Sequence, residues 1–236
     1  MTRFLHLELR RYSTTAIYLS AATASSLLIA LYFFAIIGRF DDSTDSAMFH
    51  NYSSIVALGL TISLFVIVVY GAAIYARFIV TDYIGNRRIQ LYTYPAGRSP
   101  LFLAKNTAYV IATSAAALVG VILAGTIFFI SEALSPIVAV GGEKGHLSTT
   151  VITGLASIIL LAASIVLIAG TIGVFQGSTI TTIVSAIVLI AVLGNGIAIS
   201  LANTAWLTAV IAVGCTVLAI GVLAAQTKRI QNDEVL

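Results

Sequence analysis

Residues 147–199 read LSTTVITGLASIILLAASIVLIAGTIGVFQGSTITTIVSAIVLIAVLGNGIAI, a stretch without one charged side chain. As a single helix it would run about 80 Å at about 1.5 Å per residue, far more than the ~30 Å hydrocarbon core of a bilayer. Its only polar cluster is Gln176-Gly177-Ser178-Thr179. Glycine and serine favour tight turns, so the stretch divides there into two membrane-spanning helices, at about 148–175 and 180–201.

Working outward, Leu201-Ala202-Asn203-Thr204 separates the second of these from a further apolar run at about 206–225. Upstream runs lie at about 16–38, 54–76 and 101–130, each long enough to cross a bilayer. The first exceeds the apolar core of a cleaved signal peptide and reads as a retained span. The sequence therefore predicts an all-α integral membrane fold of six transmembrane helices, with residues 1–236 forming one membrane domain without internal repeats. Composition agrees, since 59% of the residues are hydrophobic and 9% charged, where soluble domains carry about 25% charged residues. Cys215 is the single cysteine, which excludes an internal disulfide and a cysteine-based metal centre.

Charge sets the predicted orientation, because Lys and Arg are retained on the cytoplasmic side. Arg3, Arg10 and Arg11 precede the first span, Arg77, Arg87, Arg88, Arg98 and Lys105 fall between the second and third, and Lys228 and Arg229 follow the sixth. With six spans all of these share one side. Arg39 and Lys144 fall on the other, with Asp41, Asp42, Asp45, Glu132 and Glu143. Both termini are thus expected in the cytoplasm. The net charge of +3 follows membrane topology rather than a nucleic-acid surface. In the first dozen residues Leu5, Leu9 and Tyr12 share one helical side and Arg3, His6 and Arg10 the other, the pattern of an amphipathic helix lying in the interface.

Several chemistries are missing. No ionisable residue falls in the middle of a predicted span, which argues against a proton relay. There is no HExxH, no pair of aspartates within spans and no phosphate-cradling glycine loop, so neither intramembrane hydrolysis nor ATP hydrolysis by this chain is expected. The polar residues inside the spans are small: Thr23-Ala24-Ser25-Ser26, Gly170-Thr171-Ile172-Gly173 and Gly194-Asn195-Gly196. Such residues let helices approach closely; Thr171 and Asn195 are in addition candidates for a substrate path.

The longest polar interruption carries five of the 12 Lys and Arg residues: RFIVTDYIGNRRIQLYTYPAGRSPLFLAK, residues 77–105. Asp82 to Tyr94 lacks proline, and Ile84, Arg88 and Leu91 would share one helical face. Pro95 and Gly97 break that helix, and Ser99-Pro100 reads as the cap and first position of the third span. Setting topology requires only the charges; it does not require the Leu-Tyr-x-Tyr-Pro pattern or a helix breaker followed by Arg98.

With Asp82 at the cytoplasmic end of the second span, Leu91-x-x-x-Pro95-x-x-Arg98 after it and Lys105 entering the third, this segment resembles the ABC-2 type permeases of ATP-binding cassette exporters. The Tyr94-Pro95-x-x-Arg98 turn and the small size are most similar to the bacitracin- and lantibiotic-type permeases. The segment Glu8-Leu9-Arg10-Arg11 is similar to that family's interfacial helix. The family often has Glu where this chain has Asp82, and many members have a long external segment between the last two spans that is missing here.

The resemblance implies a cytoplasmic coupling helix between spans two and three, docking on an ABC ATPase through Asp82, Arg87, Arg88, Leu91, Tyr92, Pro95 and Arg98. It implies ATP and Mg on that partner subunit, no cofactor on this chain, a second permease copy or related permease, and a bacterial plasma membrane. The uncharged spans suggest a hydrophobic or amphipathic cargo, such as a peptide antibiotic, a drug or a lipid-like molecule. Two other readings compete: a membrane scaffold or sensor whose loop docks a regulatory protein, and an ion-driven carrier working alone.

Overall fold

A computed structural model describes residues 2–40, 51–92, 97–138, 147–203 and 205–232. Among these, all regular structure is helical: α1 (Thr2–Arg11), α2 (Ser13–Phe40), α3 (Tyr52–Phe78), a 3-10 turn (Val80–Tyr83), α4 (Asn86–Tyr92), α5 (Arg98–Leu134), α6 (Leu147–Gln176), α7 (Thr179–Asn203) and α8 (Ala205–Gln231). The six long helices, α2, α3 and α5 to α8, are each long and apolar enough to cross a membrane. This is a multi-pass membrane protein. The expected outer loop charges Asp41, Asp42, Asp45, Glu143 and Lys144 lie outside the described residues.

Helix ends follow local chemistry. At the Gln176 turn, Gly177 takes φ +62, its amide reaches Val174 O at 3.3 Å and the Ser178 amide reaches Gly173 O at 3.0 Å. That is the paired-bond arrangement in which a left-handed glycine closes a helix. The loop helix expected over Asp82–Tyr94 is instead split. After α3 the chain makes the 3-10 turn, Ile84 is extended, and Gly85 at φ +59 re-aims the backbone before α4 starts at Asn86. A left-handed residue cannot continue a helix, so Ile84 does not share a helical face with Arg88 and Leu91. The cap of α5 is Gly97, not Ser99; Arg98 opens the helix. Pro100 sits in the first turn, where its missing amide hydrogen is tolerated.

The bundle is organised around α3 and α6. α3 packs on α2, α6 and α7, α6 packs also on α8, and α2 lies along α5. Small residues make the closest crossings. A Cβ at Gly120 of α5 would come within 2.6 Å of the Ser20 carbonyl oxygen and 2.8 Å of Thr23 Cβ on α2, while one at Gly170 would overlap the buried Tyr75 ring. Gly194 faces the Phe65 ring in the same way. Helices in lipid gain no hydrophobic drive from meeting each other, so close backbone approach of this kind carries their association.

Exposed apolar side chains form a belt. On α5 they run from Ile111 to Leu134 and on α2 from Ile17 to Phe40, about 34 Å in each case at the rise of an α-helix, close to the thickness of a hydrocarbon core. Gly170→Ala is expected to destabilise the bundle by about 1–3 kcal/mol through overpacking. Gly221→Ala, where added bulk meets nothing within 4 Å, should leave it unchanged; thermal unfolding of the two variants in detergent checks the contrast.

Candidate functional site

Both described chain ends, residues 79–92 and the α6–α7 turn meet at one end of the bundle. α1 lies against α5 and the 3-10 turn against α6, and Arg229 near the end of α8 stacks 4.1 Å from the Phe175 ring centroid on α6. This basic end holds a cluster of four charges. Lys105, in the second turn of α5, has a side chain only 4% exposed. It donates to Asp82 Oδ2 and lies 3.7 Å from Glu8 Oε1. Arg11 reaches the same Asp82 oxygen at 3.1 Å and Glu8 at 3.8 Å. Two cations and two carboxylates thus neutralise one another, and the group ties α1, the 3-10 turn and α5 together.

An aromatic floor separates the cluster from the apolar belt. Tyr12 packs edge-on against Phe78 and Tyr109, with centroids 5.2 and 6.2 Å away, and Tyr109 meets Tyr75 at 5.1 Å. Tyr75 donates to Asn106 Oδ1 at 2.6 Å, and Asn106 Nδ2 donates to the Phe102 carbonyl at 2.8 Å. The guanidinium of Arg11 lies over the Phe78 ring at 5.0 Å, so one side chain serves both layers. Burial pushes the Tyr12 phenol above its ordinary pKa, and the neighbouring Glu8 adds to the effect. Lys105 sits about 9 Å along α5 from Ile111, the first large apolar side chain that the helix exposes.

The sequence-derived residues distribute unevenly around this cluster. Asp82 is at its centre. Arg87 is exposed and Arg88 half-buried on α4; Leu91 and Tyr92 fall in the last turn of α4, Arg98 opens α5, and Pro95 lies outside the described residues. α4 stands between two recesses. One, of about 570 Å³, is lined by Thr81, Ile84, Arg87 and the 177–180 turn. The other, of about 90 Å³, is lined by Tyr83, Arg88, Phe175 and Arg229 among others. Thr171 and Asn195 are not brought together. The Thr171 hydroxyl is buried and donates to its own helix at Ile168 O, 2.7 Å away, and Asn195 is exposed on the outer face of α7.

In the sequence Glu132 reads as a loop charge. The structure extends α5 to Leu134 and buries Glu132 to 7% exposure. Its Oε1 accepts from Tyr52 Oη at 3.1 Å and from the amides of Ile137 and Val138 at 2.9 and 2.8 Å. It therefore fastens α3 and the chain after α5 at the end opposite the charge cluster. Pro136, which forces the chain out of helix, was the available signal.

Comparison with protein families, curated proteins and solved structures gives no match for the chain.

Asp82→Ala is expected to destabilise the protein on the order of 3 kcal/mol, because it takes the nearest anion from a buried ammonium. Arg11→Ala, at an exposed edge of the cluster, should cost about 1 kcal/mol or less. Unfolding midpoints of the two variants and of Asp82→Ala/Lys105→Ala check this; the double variant is expected to recover part of the single variant's loss.

Proposed function

We propose that this chain is the membrane subunit of an ABC exporter, with its basic end in the cytoplasm and both termini there, working with separate ATPase subunits and a second permease. The observation that carries the reading is the Asp82-centred cluster: it fixes the segment that leads into α4 to α5, while Arg87 and Ile89 of α4 remain exposed. A force applied to α4 by a partner would reach α5 and, through Glu8 and Arg11, α1 as well. A loop that only set topology would need its positive charges on the correct side and no carboxylate to anchor them.

Arg87, Arg88, Leu91, Tyr92, Pro95 and Arg98 form the proposed docking segment, and Asp82 acts behind it as the positioning residue. ATP and Mg belong to the ATPase partner. A bacterial plasma membrane and a hydrophobic or amphipathic cargo complete the proposal, which rests on the resemblance of the 82–105 segment to ABC-2 permeases and on the uncharged span interiors. The recess between Arg87 and the 177–180 turn offers an adjoining surface on the same end of the bundle.

Affinity purification of the full chain is expected to bring down an ATPase subunit carrying a phosphate-binding loop. Arg87→Glu should abolish that association while the variant still elutes as a folded protein. Recovery of a kinase, or of no partner, would favour the scaffold reading and count against the exporter.

A further inference from the structure

At the end of the bundle away from the charge cluster, a groove of about 510 Å³ opens between α2 and α3 on one side and α5 and α6 on the other. Leu27, Leu60, Val121, Gly125, Phe129 and Leu155 are among the residues that wall it. Among the described lining residues Thr126 is the one hydroxyl, and it already donates to the Leu123 carbonyl at 2.9 Å. The described lining thus offers an occupant apolar contact and no free hydrogen-bond donor. A polar molecule entering it would leave its own groups unpaired.

Depth and length narrow the occupant further. On α5 the wall runs from Val121 to Ala133, about 18 Å along the axis, against about 15 Å for one leaflet of a ~30 Å hydrocarbon core. It occupies the half of the exposed apolar belt, Ile111 to Leu134, that lies farther from Lys105. Arg39 is exposed about 12 Å beyond Leu31 on α2, which puts a cation near the level expected for lipid phosphates. Gly125 leaves the floor open, since a Cβ there would meet nothing within 4 Å.

We propose that this groove is a binding site for one acyl chain of a bilayer phospholipid, from the leaflet opposite the Lys105 cluster, with its headgroup outside the groove beside Arg39. The chain fills space that α5 and α6 leave between them and belongs to the resting protein. This inference requires the membrane placement of the six helices and does not depend on the exporter reading.

The test uses the purified full chain in nanodiscs made with a phospholipid carrying a photoreactive diazirine on its acyl chain, followed by mapping of the labelled residues. Labelling is expected to concentrate on residues 121–133 several-fold over the lipid-facing side of α8 around Val213 and Val217. Gly125→Leu should remove most of that excess, whereas Gly221→Leu, on open surface, should preserve it. Equal labelling of α5 and α8 in the wild-type protein, or an excess that survives Gly125→Leu, overturns the assignment; the wild-type ratio decides even if a variant folds poorly.

Discussion

An ammonium group almost sealed from solvent needs anions beside it. Lys105 finds Asp82 and Glu8, and the arrangement at the basic end follows from that requirement. Desolvating an ion costs several kcal/mol and is offset only where partners stand close with good geometry. Asp82 must therefore be held at a fixed place, which the 3-10 turn achieves: its amide bonds the Ile79 carbonyl at 3.0 Å and Thr81 Oγ1 bonds the Ala76 carbonyl at 2.9 Å. Glu8 must be held too, and α1 is docked through Leu5, Leu9 and Tyr12 on the side that faces the bundle. The interfacial helix, the segment after α3 and the start of α5 are thereby joined through one set of charges.

The opposite end solves a related problem with a single carboxylate. Glu132 receives a phenol and two backbone amides on one oxygen, and Tyr32 and Ser131 bond at 2.5 Å one residue earlier on α5. The bundle is thus fastened at both margins of its apolar belt by polar groups, while its middle relies on glycine and threonine contacts such as Gly120 against Thr23. Hydroxyls in the middle mostly bond their own helices, as Thr23 to Leu19 and Thr61 to Ala57. Packing, rather than hydrogen bonding between helices, fills the interior.

The six long helices were legible because membrane-scale hydrophobicity is a sum over about twenty neighbouring residues and needs no knowledge of distant ones. The Gln176 break was legible for a similar reason: Gly177 announces a left-handed turn on its own. Gly85 carries the same signal, but its surroundings lack prolines and are compatible with a continuous helix, so the split into 3-10 turn and α4 is not legible locally. Asp82 and Lys105 each stand out in the sequence, yet that Arg11 joins Lys105 in donating to Asp82 depends on α1 returning to α5, which brings Arg11 to residues 71 and 94 positions away, a relation that no local pattern encodes. Thr171 and Asn195 looked equivalent in sequence; only the helix rotation shows one turned into its own backbone and the other turned outward.

α5 is 37 residues long, a rod of about 55 Å with Lys105 near one end and the Val121–Ala133 groove wall toward the other. Gly120, pressed against the Ser20 carbonyl and Thr23, lies four residues from its midpoint. Were α5 to tilt by about 5° about that contact, its two ends would move by about 2–3 Å in opposite directions, so the length of the helix alone ties the Lys105 end to the groove end with opposite sign.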